Sequence, residues 1–235
     1  MTADEIVEQL RPLGSEGYKK VLRNHGVPEP FFGVKIEELK KFQKRIKKDY
    51  QLALDLYATG IYDAMYLAGL VADDARMTEA DLRTWLDQAT CDALCEYTVA
   101  WVAAGSPHGH DLAMEWIDSD EERVATAGWG TLNSLVSTAD DDDLDLPELT
   151  ALLRRVQKTI HGQPNRVRYV MNGFVIAAGC YVADLTDLAL QVAAKVGAVE
   201  VDMGGTACKV PGAADYIRKV RDRGTIGKKR KSAKC

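Results

Sequence analysis

Apolar residues recur every three or four positions along almost the whole chain, with polar residues filling the gaps. Ile36, Leu39, Phe42 and Ile46 form one such stripe, and Lys40, Lys41, Lys44, Lys47 and Lys48 occupy the other faces. The same period predicts helices over 3–10, 15–24, 50–58, 61–73, 78–88, 91–104, 109–117, 120–137, 146–160, 164–180, 184–195 and 211–223. Gly26-Val27-Pro28-Glu29-Pro30 breaks the pattern, Thr78 with Asp81 reads as a helix start, and Pro211 suits a first helical position. Only Val199-Glu200-Val201-Asp202 alternates, as a short extended piece would, before a turn at Met203–Thr206. This succession predicts an all-α protein, an α-helical solenoid of antiparallel helix pairs, with a compact helical bundle as the alternative. Residues 1–226 read as one domain. Residues 227–235 read as a basic tail with nothing to bury, and so as mobile.

The helix over 164–180 carries two patterns. Val167, Val170, Met171, Phe174 and Ala178 share an apolar face that predicts core. Asn165, Arg168 and Asn172 share a neighbouring stripe. A buried amide needs partners, so Asn172 either bonds to a neighbouring helix's backbone or looks into a groove with Asn165 and Arg168.

The net charge of −5 conceals a segregation. Residues 19–48 carry a balance of +7, residues 49–150 one of −19, and residues 209–235 one of +8. Two basic ends suggest a polyanionic partner, against the plainer reading that solvated charges intermix in the fold. No apolar run approaches the ~20 residues of a membrane helix. The acidic N-terminus is unlike a signal or transit peptide, and five scattered cysteines fit a reducing cytoplasm. Asp140–Asp145 lacks the glycine and closing glutamate of a calcium loop and reads as a solvated loop before a helix. Cys91 and Cys95, four residues apart, would need Cys180 and Cys208 to complete a thiolate site. Their spacing is not that of a zinc knuckle, and no metal or cofactor is expected. His108 and His110 lack a third ligand nearby, the four tryptophans sit in core patterns, and no phosphate-cradling glycine motif is present.

Several stretches together resemble the AlkD-like DNA alkylation repair family. They are Phe32-Gly33-Val34 with Leu39, and the run from Tyr50 to Asp63. Trp85 follows, six residues ahead of Cys91-Asp92-Ala93-Leu94-Cys95. Trp116-Ile117-Asp118-Ser119-Asp120 and Gly173-Phe174 complete the series. The resemblance covers about residues 15–195. It implies HEAT-like helical repeats, a concave basic face for duplex DNA, and relatives that remove alkylated, cationic purines. The active members carry a Trp-Asp-x-x-Asp run whose last carboxylate supports the developing sugar cation. By this resemblance Cys91 stands at the aromatic, Cys95 at the key carboxylate, Thr126 at a backbone-gripping arginine (with Arg123 one turn away), and Phe174 at a second aromatic. All four depart from the active pattern, Phe174 least. An anion beside the oxocarbenium-like transition state lowers its barrier, and a neutral thiol cannot replace it. Glu96, about 100° further round a helix, and Asp92 are the substitutes at hand.

The expected function is therefore DNA binding, to duplex or to damaged or branched DNA, largely through phosphates and with little of the usual glycosylase activity. Arg123, Asn165, Arg166, Arg168 and Asn172 are the groove candidates. Lys40, Lys44, Lys47 and Lys48 are the flank, and Lys228, Lys229, Arg230 and Lys231 a mobile clamp. The rivals are a glycosylase using Asp92 or Glu96 and a scaffold that binds a protein partner. No membrane partner is expected.

Overall fold

The computed structural model describes residues 1–234. Among these residues there are thirteen α-helices, joined by turns and by longer connectors over 25–35 and 197–212, and no strand. They are α1 (Ala3–Leu10), α2 (Glu16–Asn24), α3 (Ile36–Ile46), α4 (Tyr50–Ala58), α5 (Tyr62–Val71), α6 (Glu79–Gln88), α7 (Ala100–Ala104), α8 (Gly109–Trp116), α9 (Glu122–Thr138), α10 (Leu146–Thr159), α11 (Asn165–Tyr181), α12 (Thr186–Val196) and α13 (Ala213–Asp222). The expected all-α class holds. The described residues form two compact units, one of residues 1–112 with 203–207 and 234, the other of residues 113–202 with 208–233.

In the first unit, local chemistry sets the helix ends. Thr2 and Thr78 each close a capping box, and the Asp49 carboxylate accepts from the Leu52 N–H to start α4. α5 packs against α3 and α4 and is buried from Asp63 to Val71. Asp63 is fully buried, and its carboxylate accepts the backbone N–H groups of Phe32 (2.6 Å) and Val34 (2.7 Å). Those two bonds pin the connector ahead of α3. Gly33 between them has φ +77, and a Cβ there would lie 2.6 Å from the Lys19 side chain and 2.9 Å from the Ser15 carbonyl. The Phe32-Gly33-Val34 stretch thus works with Asp63 to hold the fold. Tyr57 stacks on Trp85 at 4.2 Å and donates its hydroxyl to the Trp85 carbonyl.

In the second unit α11 is the central helix, packed against α9, α10, α12 and α13. Phe174 meets Trp129 edge-on at 5.3 Å, and Val167, Met171 and Ala178 are buried as their stripe predicts. Gly179 lets α12 and α13 approach, since a Cβ there would lie 2.6 Å from Ile217 and 2.9 Å from Ala189. No single helix among the described residues is long and apolar enough to cross a membrane.

Four expectations are corrected. The helix over 91–104 is a π-helical segment, Leu94–Val99, leading into α7. The backbone there is wider than the α-helix assumed for Cys91, Cys95 and Glu96, and such widenings gather at functional sites. Val199–Asp202 joins no strand, because its partner is a side chain, described below. Pro211 precedes the cap Gly212 instead of opening α13, and its carbonyl accepts a hydrogen bond. The tail is docked. Gly227 N–H donates to the Cys180 carbonyl and Arg230 N–H to the Ser137 carbonyl, while Lys229 reaches Asp141 (2.8 Å) and the Val136 carbonyl. Ala233 is buried. In the first unit Lys234 pairs with Asp74 at 2.7 Å and donates to the Ala72 carbonyl. The tail reads as core-less because its anchors are backbone amides and lysine heads, which carry no hydrophobic signal.

Candidate nucleic-acid interface

The polar stripe of α11 serves the chain itself. Asn165 Nδ2 donates to the Asp202 carbonyl (2.9 Å) and its Oδ1 accepts the Asp202 N–H (2.8 Å), so the amide does for this segment what a neighbouring strand would. Asn172, 3% exposed, donates to the Pro211 carbonyl at 2.9 Å. The groove expected for these amides is replaced by the segment leading to α13, whose backbone completes their hydrogen bonds. The plainer alternative, a backbone partner, was right in kind, though the partner is a connecting segment and not a helix. Arg168 donates to Asn165 Oδ1 (3.2 Å), and its Nε is buried without a hydrogen-bond partner. The Arg166 guanidinium lies over the Tyr169 ring at 4.2 Å, and its backbone N–H donates to Glu122. Both arginines remain partly exposed.

The positions assigned to glycosylase chemistry are mostly buried. Cys95 and Thr126 are fully buried, Glu96 is 6% exposed, and Cys91 is buried too. The Thr126 hydroxyl has no hydrogen-bond partner. Burial pushes the Cys91 thiol up to about 11, outweighing the hydrogen bonds from Leu94 and Ala93, so it is neutral at pH 7. Asp92 alone among these carboxylates faces solvent, and Arg123 is half-buried. Phe174 lies against Trp129 in the core. At the two positions that the resemblance sets against a carboxylate and an arginine, the side chains are a thiol and a hydroxyl, both fully buried. Cys180 is likewise pushed to about 11 by burial, which fits a packing role.

The basic residues separate into two groups. On α3 and just after it, Lys44, Lys47 and Lys48 are exposed and Lys40 is half-buried. Lys47 ends the helix at φ 66, and Lys48 lies 3.7 Å from Asp73. In the tail, Lys228, Arg230 and Lys231 are exposed, whereas Lys229 is held by Asp141. The helix expected over 211–223 is α13, where the sequence alone singles out no site residue. There Ala213, Ile217 and Val220 form the inner face, leaving Tyr216, Arg218, Lys219 and Arg221 outside. That helical spacing was available to show it.

An all-helical chain of short amphipathic helices with basic outer faces defines a class, the helical-repeat proteins. A family model described as DNA alkylation repair enzyme matches residues 6–198, and the chain belongs to that family. Two uncharacterised proteins are similar, Lin0241 of Listeria innocua and Lmo0209 of Listeria monocytogenes. Each is 34% identical over 229 residues, covering 95% of this chain and 99% of the relative. A solved structure, described as a new family of proteins related to the HEAT-like repeat DNA glycosylases with affinity for branched DNA structures, superposes with a TM-score of 0.92. It shares 36% identity and covers 100% of both chains. The fold is thus the HEAT-like repeat fold that the resemblance implied.

Proposed function

We propose that this protein binds DNA, branched DNA in particular, through its sugar–phosphate backbone, and that it does not release alkylated bases at the family's usual rate. The observation that carries this reading is the match over all of this chain to a protein described as having affinity for branched DNA, and it is supported by the full burial of Cys95, which the resemblance sets at the family's carboxylate position. Phosphate contacts need exposed cations, and Lys44, Lys47, Lys48, Lys228, Arg230 and Lys231 supply them. Arg123, Arg166 and Arg168, partly exposed, are further candidates. Base release needs more. Loss of one preorganised charge contact to the transition state commonly costs about 2.7–4 kcal/mol, a hundredfold to a thousandfold in rate.

The test pairs two assays on one preparation: a mobility shift with a three-way junction, and release of free methylated purine from alkylated duplex DNA. Binding without release is expected. A second reading rests on the exposure of Asp92, which leaves one solvent-facing carboxylate next to the altered position. Strong release abolished by Asp92→Asn would make the protein a glycosylase with a relocated anion. Absence of any DNA shift would remove the proposal and favour a protein partner.

A further inference from the structure

The outer face of α13 and the docked tail bring an aromatic ring and several cations together on the second unit. Ala213 and Ile217 point inward, and Tyr216 lies beside them on the outer face, 50% exposed. Arg218, Lys219, Arg221 and Arg223 surround it in sequence and are all exposed. Arg218 pairs with Asp215, and Lys219, Arg221 and Arg223 have no carboxylate within ion-pair distance among the described residues. The tail adds Arg230. Its placement is fixed by the backbone, through Gly227 N–H to Cys180 and Arg230 N–H to Ser137. Lys229 turns to the acidic loop at Asp141, and the tail passes the end of α11 at Cys180, next to Gly179, which α13 packs against through Ile217. Burial raises the Tyr181 phenol at that end of α11, and the Arg230 charge pulls it back down.

An exposed ring on a cationic helix matches what an unpaired nucleotide requires. A base stacks on an exposed ring, and neighbouring cations take the phosphates on either side. Duplex DNA, whose bases are already stacked, gains only from the cations. We infer that Tyr216, with Lys219 and Arg223 on the same stripe of α13, forms a contact site for the unpaired nucleotides of branched DNA. This rests on the DNA-binding reading above and assigns the branch-selective part of it to α13.

The experiment measures Kd for a blunt duplex and for a forked duplex of equal length carrying a ten-nucleotide single-stranded arm, with wild type, Tyr216→Ala and Tyr216→Trp. Because the ring is exposed, all three variants are expected to melt together. Tyr216→Ala should weaken fork binding about tenfold, within the range measured for base–aromatic stacking, and leave the blunt duplex within twofold. Tyr216→Trp should restore the fork. Equal loss on both substrates, or no loss on the fork while wild type binds both, would overturn this assignment and leave DNA binding standing. Failure of wild type to bind either DNA would overturn both.

Discussion

Replacing Lys234 by Met should unsettle the fold through Asp74. The two side chains are only 8% and 16% exposed and meet at 2.7 Å. Burial raises the Asp74 carboxyl, with Lys234 pulling it back down, and burial lowers the Lys234 ammonium, with Asp74 pulling it back up. Each ion is therefore held charged mainly by the other. Methionine fills the space of the lysine stem but removes the charge, and Asp74 then ionises without its main partner. Breaking a buried pair from one side costs about 3–5 kcal/mol, and residual exposure puts this case near 3. At about 2–4 °C per kcal/mol for a chain of this size, Tm should fall by roughly 6–12 °C at pH 7.

The sign of the pH dependence follows. Without Lys234 the folded-state pKa of Asp74 rises further above its unfolded value. The folded state then takes up a proton before the unfolded state does. The deficit is full above the folded pKa, shrinks as pH falls through it, and is gone below the unfolded value of about 3.9. Asp74→Asn in the same chain should remove most of the loss at pH 7, and denaturant melts of wild type, both single variants and the double variant measure it. A Lys234→Met protein as stable as wild type, or a deficit that Asp74→Asn does not relieve, would refute the reasoning and mean that the tail is not seated on Asp74.

Asp63→Ala should cost about 3–5 kcal/mol, because the hydrogen bonds to Phe32 and Val34 are lost and leave one buried and one part-buried N–H without a partner; a melt showing less than 1 kcal/mol would deny Asp63 that role. In a Cys235→Ser background, Cys208 should react with a thiol reagent in the native state at pH 7.5. Cys91 and Cys180, buried and with pKa values near 11, should react only on unfolding. Asn165→Ala should speed hydrogen exchange at the Asp202 amide while leaving the α11 core protected, since that amide's partner is the Asn165 side chain.

Helix positions were legible because apolar spacing alone determines which face is buried, and α1, α3, α4, α9 and α10 fall within two residues of their expected bounds. The departures share a physical origin. The π-helical widening at Leu94–Val99 depends on tertiary packing: Gly69 on α5 lies so near Thr98 that a Cβ would sit 2.6 Å from its methyl. Asn165 and Asn172 announced that they needed partners but not which ones, because Asp202 and Pro211 lie 37 and 39 residues away. The tail was opaque for a related reason. A lysine seated on a distant carboxylate looks, in sequence, like any solvated lysine. For the candidate site, the resemblance singled out Cys95, and the structure adds that this side chain is fully buried.

If this chain grips DNA by its phosphates, its affinity for a three-way junction must fall steeply between about 50 and 200 mM salt. Four or more phosphate contacts should give a slope of log K against log salt of about −3 or steeper. A slope near zero, or no complex at 50 mM salt, would contradict the account.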